Sequence, residues 1–197
     1  MQKRSSTVKR ETKETAIDLT LNVDGQGKCE CDLEIPFFTH MLELLVYHAQ
    51  FDLSLQGSGD VKEVDAHHTV EDVGICLGQA LKEALGDKAG IARYGTAYVP
   101  MEETLALSVL DICNRPFLQY NVDVGKAKTG DYDVELSEEF LRAFAVNAGI
   151  TLHVNLLYGR NLHHINEAIF KSLGLALRKA VSRGTNGKQI PSTKGVL

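Results

Sequence analysis

At 197 residues, 44% hydrophobic and 24% charged, the chain has the composition of a globular protein that can bury a core without staples. A formal net charge of −5 gives no electrostatic footprint for nucleic acid. No apolar run approaches the roughly 18 residues of a membrane-spanning helix, and no apolar stretch follows the basic N-terminus MQKRSSTVKRETK, so neither a membrane anchor nor a signal peptide is expected.

In chain order, residues 16–23 alternate, with Ile17, Leu19, Leu21 and Val23 on one face. Asp24-Gly25-Gln26-Gly27 supplies turn chemistry, and beyond it Cys29, Cys31, Leu33 and Ile35 alternate with charged residues. This pattern predicts a hairpin with one dry face that carries both cysteines. The four cysteines, which include Cys76 and Cys113, form no CxxC pair and read as reduced thiols of the cytoplasm, or of a plastid if a transit peptide was removed. After Pro36 the spacing of His40, Met41, Leu44, Leu45 and His48 is helical, and residues 51–55 read as a strand. Asp65 can cap a helix over 66–85 with Val70, Val73, Leu77, Leu81 and Leu85 on its apolar stripe. The join, 86–100, is rich in glycine and charge. Residues 104–112 and 117–124 then read as strands around the turn Asn114-Arg115-Pro116. Ser137 is placed to cap a helix through Phe144, residues 150–156 form a strand, and a last helix covers 163–181. The tail from 182 has no period.

Each half thus reads strand-strand-helix-strand-helix. The expected fold class is α+β: one domain over 8–197, built of duplicated ββαβα halves, 14–87 and 103–184, with half-sheets side by side and helices packed on one face. A tail, 185–197, follows, and residues 1–7 are expected to be flexible. The chemistry repeats as well. His67-His68-Thr-Val-Glu71 opens the last helix of the first half and His163-His164-Ile-Asn-Glu167 that of the second, while Glu14-Thr15 pairs with Glu103-Thr104.

On a helix, His at i and Glu at i+4 share a face, and the adjacent histidine points about 100° away. This predicts two metals served by two helices: one held by His67, Glu71 and His164, the other by His68, His163 and Glu167. Pairing of His68 with Glu71 at i, i+3 is an open alternative. His40 is a further candidate ligand, while His48 and His153 stay open between core and site. Nitrogen and carboxylate donors suit Mn, Fe, Co, Ni or Zn alike, and no cysteine joins them.

These stretches, VDAHHTVEDVGICLG and GRNLHHINEAIFK, together with RETKET, FFTHML, ALGDKAGIARYG, VPMEETLA and PSTKGVL in order, resemble imidazoleglycerol-phosphate dehydratase over about residues 8 to 197. The resemblance implies a fold like the second domain of ribosomal protein S5, two Mn2+ ions per active site, and a homo-oligomer of twenty-four subunits with interface active sites. It implies dehydration of imidazole glycerol phosphate to imidazole acetol phosphate through an imidazolate and a diazafulvene-type intermediate, with no nucleic-acid or membrane partner. By resemblance the catalytic residues are Glu14, Glu71, Glu167 and His68. The substrate, its phosphate above all, falls to Glu14, Arg93, Arg115, Lys171, Ser192 and Lys194. Two features depart from the family pattern. Cys113-Asn114 stands where many relatives have Ser-Gly, a change the turn should tolerate because Asn accepts left-handed backbone. Glu139 stands where others carry histidine and is either a ligand or a first-turn carboxylate. A dinuclear hydrolase and a metal-clasped assembly module are the competing readings.

Overall fold

The computed structural model describes residues 4–184 and 189–197. Its elements are β1 (Ser5–Glu11), β2 (Thr15–Asn22), β3 (Cys29–Asp32), α1 (Pro36–Ala49), β4 (Asp52–Gly59), α2 (His67–Leu85), β5 (Tyr94–Met101), β6 (Thr104–Ile112), β7 (Phe117–Asn121), β8 (Lys128–Thr129), β9 (Tyr132–Asp133), α3 (Leu136–Ala148), β10 (Ile150–Tyr158) and α4 (Leu162–Val181). One sheet has the order β1-β2-β4-β3 and the other β5-β6-β10-β7, while β8 and β9 form a separate ribbon. The pairing directions match, with two antiparallel ladders and one parallel ladder in each sheet. The duplicated α+β fold expected from the sequence is therefore present.

Three details differ from expectation. Each half opens with an extra strand: β1 begins inside the segment expected to be flexible, and β5 lies inside the join. Residues 1–3 and 185–188 fall outside the described part of the chain. Second, β2 and β3 are not a hairpin, because β4 inserts between them. The 23–28 loop is tied to the start of β4 instead of turning tightly. Asp52 Oδ1 accepts from the Gln26 and Lys28 amides at 2.8 and 3.1 Å, and Gly27 N donates to Phe51 O at 2.8 Å. Third, the sheets are not side by side. The four helices lie between them, α2 on β1 and β2, α4 on β5 and β6, with α2 against α3 and α1 against α4.

One apolar core runs through both halves. The cross-half helix contacts are close because each has a glycine at the same repeat position. A Cβ on Gly78 of α2 would stand 2.7 Å from Phe144 O and 2.8 Å from Asn147 Cβ, and one on Gly174 of α4 would stand 2.5 Å from Leu45 O and 2.9 Å from His48 Cβ. Any side chain there would push the helices apart.

The outward faces of the two sheets differ. In the first sheet the cross-strand neighbours Lys9, Asp18, Gln56 and Asp32 face out, as do Thr7, Thr20, Ser54 and Glu30. In the second, Leu105, Leu107 and Val109 face out beside Tyr98 and Phe117, which are 58% and 52% exposed. The half-buried Cys29 and Cys31 pack against the core. Burial pushes their thiols up to about 12 and about 11, so both rest as neutral thiols. Among the described residues no helix is long and apolar enough to cross a membrane.

Candidate active site

Both HHxxE segments open helices, as expected, but their starts are fixed differently. Asp65 Oδ1 accepts from His67 N at 2.7 Å ahead of α2. Asn161, which sequence reading missed, is the N-cap of α4, with Oδ1 accepting from His163 N at 2.9 Å and His164 N at 3.4 Å. Ser137 does not cap α3. It sits one residue inside the helix, buried, and its hydroxyl donates to Asn166 Oδ1 at 2.6 Å.

His163 and Glu167 come together at i, i+4, with His163 Nε2 3.0 Å from Glu167 Oε1. The third member is His40 of α1, whose Nε2 lies 3.0 Å from the same oxygen. Phe37 packs edge-on against the His163 ring at 5.3 Å. Lys171 Nζ donates to the other carboxylate oxygen, Oε2, at 2.6 Å. Burial opposes the charged form of Glu167, but hydrogen bonds from Lys171, His40 and His163 outweigh it and hold the carboxyl at about 2. Glu167 is thus an anion with one oxygen committed to Lys171 and the other facing two imidazoles. The three donor atoms lie within 4.8 Å of one another, and two imidazole nitrogens with a carboxylate suit manganese and its neighbours. These residues fit a divalent cation.

The adjacent histidines face elsewhere, as the helical period requires. His164 Nδ1 donates to Glu103 Oε2 at 2.8 Å, and His68 Nδ1 meets Asp60 Oδ2 at 3.0 Å with Glu14 Oε2 4.0 Å away. These hydrogen bonds raise both histidines above their ordinary value, and the bond from His164 helps hold Glu103 well below the usual carboxylate range. The three-residue sets read from the sequence are not completed within one chain. Among the described residues His68 does not join His163 and Glu167, and His164 does not join His67 and Glu71. Glu139 pairs with Arg142 on α3 at 3.7 Å. His48 lies in the α1–α4 contact, and His153 stands on the outer face of β10, 6.0 Å from Phe117.

Four of the expected phosphate residues do converge. Arg93, Arg115, Ser192 and Lys194 line one cavity of about 450 Å³ with Tyr94 and Leu197. Lys171 is apart from them, at Glu167. Asp111, another residue the sequence reading missed, organises this pocket. It takes Nε and Nη2 of Arg93 at 2.7 and 3.0 Å and lies 3.6 Å from Arg115. Arg93 Nη1 donates to Pro191 O at 2.9 Å, so this side chain fastens the tail while Arg115 stays open to solvent. Asn114 has φ 56°, as the turn requires, and its Nδ2 donates to Leu197 O at 2.8 Å while its Oδ1 accepts from Lys88. A glycine would keep the turn and lose both bonds. Asn114→Gly is expected to keep the turn and raise the Michaelis constant for a phosphorylated substrate by about tenfold or more, the effect of losing a hydrogen bond to the tail and a charge-assisted one from Lys88. An unchanged constant would show that the tail needs no such tie.

The family model described as imidazoleglycerol-phosphate dehydratase matches residues 33–177. An imidazoleglycerol-phosphate dehydratase of Pelobacter propionicus is 56% identical over 98% of this chain and 99% of its own length, and one of Bacillus subtilis is 53% identical over 95% and 96%. Among solved structures, the Staphylococcus aureus dehydratase aligns with a TM-score of 0.83 at 39% identity over 91% of this chain and 99% of its own. That of Pyrococcus furiosus, in complex with (S)-C348, aligns with a TM-score of 0.83 at 36% identity over 96% and 100%. With two histidine helices, a cation-ready cluster and a basic pocket in place, these matches over nearly the full length show that the chain belongs to the imidazoleglycerol-phosphate dehydratase family.

Proposed function

We infer from its family membership that the chain is a hydro-lyase of histidine biosynthesis. We propose that it dehydrates D-erythro-imidazole glycerol phosphate to imidazole acetol phosphate in an active site that holds two Mn2+ ions and is assembled from more than one copy of the chain. The observation that carries this reading is the convergence of His40 and His163 on one oxygen of Glu167. Two manganese ions held by these residues would supply the positive charge that favours an anionic imidazole ring, the electron reservoir that a diazafulvene-type route to loss of the hydroxyl would need. The protein's own residues do the rest. His40, His163 and Glu167 hold one cation from this chain, and His67, Glu71, His68 and His164 offer the remaining donors. Glu14, exposed beside His68, is the carboxylate that takes the carbon proton. Arg115, Ser192 and Lys194 bind the phosphate, with Arg93 fixing the tail that carries two of them.

A shared site follows from distances along α4. Glu167 lies near its N-terminus, whereas Arg93 N donates to Ala180 O at the other end. Thirteen helical residues span roughly 20 Å, and imidazole glycerol phosphate reaches roughly 8 Å at ordinary bond lengths. On this reading ring and phosphate take groups from different copies. The apolar outer face of the second sheet supports self-association, and a closed homo-oligomer of twenty-four subunits is the assembly we propose.

The test is turnover of imidazole glycerol phosphate after chelation and reloading. Activity should vanish in the stripped protein and return with manganese. A stripped, folded oligomer that turns over at the original rate would refute the metal assignment.

A further inference from the structure

The repeat breaks its own symmetry at the second histidine of each pair. Glu14 and Glu103 occupy the same repeat position, just before β2 and β6. Glu103 is fully committed: Oε2 accepts from His164 Nδ1 at 2.8 Å, and Oε1 accepts from the amides of Asn161 and Arg160 at 2.8 and 3.3 Å. Glu14 makes no such set and is 56% exposed, 4.0 Å from His68. The job in the first half is done by Asp60, 3.0 and 3.2 Å from His68 Nδ1.

The cause is a single exchange at the strand end. Gly59 and Gly159 are structural counterparts, since an added Cβ would meet Thr15 and Thr69 at one and Thr104 and Ile165 at the other. The next residue is Asp60 in the first half and Arg160 in the second. An arginine cannot accept a hydrogen bond, so Glu103 must serve His164. An aspartate can, so Glu14 is released.

Resting on the lyase reading above, we propose that Asp60 and Glu103 are the positioning carboxylates of His68 and His164. Each holds a proton on Nδ1, fixes the ring, and leaves Nε2 as the atom that meets the cation. Among the described residues neither Nε2 has a hydrogen-bond partner, and a carboxylate behind a ligating imidazole both orients it and raises its basicity. The exchange at position 60 is thus what leaves one carboxylate, Glu14, free for the substrate's proton.

The test uses the assembled protein and three variants: Asp60→Ala, Glu103→Ala and Asp60→Asn. Manganese binding is followed by the electron-paramagnetic-resonance signal of the free ion. Ring protonation is followed by solid-state magnetic resonance of the metal-free, histidine-labelled protein at about pH 8.5, where ordinary imidazole is neutral. Both alanine variants should bind manganese roughly 10- to 100-fold more weakly. His68 in one and His164 in the other should lose the Nδ1-protonated signal. Asp60→Asn keeps an acceptor oxygen and should restore most of the affinity and the signal. Weaker binding with unchanged ring signals would mean a merely structural role and overturn the proposal, as would unchanged binding. The ring signals need no turnover, so failure of the lyase reading shows separately, as wild-type protein that binds manganese and does not dehydrate imidazole glycerol phosphate.

Discussion

Glu167→Gln should lower dehydration by about a thousandfold or more, the scale on which a charged group in a preorganised site acts. The carboxylate faces His40 and His163 through one oxygen and Lys171 through the other. A neutral amide removes the anion from all three at once. It leaves Lys171, with only 18% of its side chain exposed, without the carboxylate it pairs with. Metal content should fall in step with the rate. A folded Glu167→Gln protein with the metal content and rate of the unsubstituted chain would remove Glu167 from the proposed ligand set.

Arg115→Ala should act on a different constant. Its guanidinium is 67% exposed and, among the described residues, is held only by Asp111 at 3.6 Å, so it can offer its fork to a phosphate. Loss of that pair should raise the Michaelis constant for the phosphorylated substrate by about a hundredfold, the worth of a charge-assisted bidentate contact, with a much smaller change in kcat. Arg93 would not give so clean a result, because its fork already binds Asp111 and the Pro191 carbonyl. Steady-state kinetics separate the two constants, and a Michaelis constant that does not move would take Arg115 out of phosphate recognition.

The strands that were legible in the sequence are those with an apolar face. β2 and β6 alternate over their whole length and bury every second residue. β1 and β5 are both edge strands but escaped notice for different reasons. Only Val8 of β1 is buried, whereas β5 turns Gly95, Ala97, Val99 and Met101 inward but begins that alternation on a glycine and sets Tyr94 and Tyr98 on its outer face, which leaves the pattern little contrast. Alternation also says which face is dry but not which strand lies alongside, so β3 was misplaced as the partner of β2. At the site, repetition of HHxxE marked both helices, and the resemblance gathered four residues of the basic pocket from distant parts of the chain. Asp60, Asp111 and Asn161 carry no repeat or spacing signal. Their importance arises from contacts across 8 to 18 residues, or from a turn just ahead of a helix, which only the folded chain shows.

The matched glycines of α2 and α4 bear on how such a chain can hold together. Gly78 closes on Phe144, Asn147 and Ala148, and Gly174 closes on Leu45, His48 and Ala49, so one notch is used twice. A half-length chain, one sheet with two helices, would leave its notch open to water until a second copy closed it, and its folding would depend on dilution. Joining the halves makes the encounter intramolecular, so the helical layer forms at any concentration. The notch then ceases to be a meeting place between molecules and becomes a seam inside one.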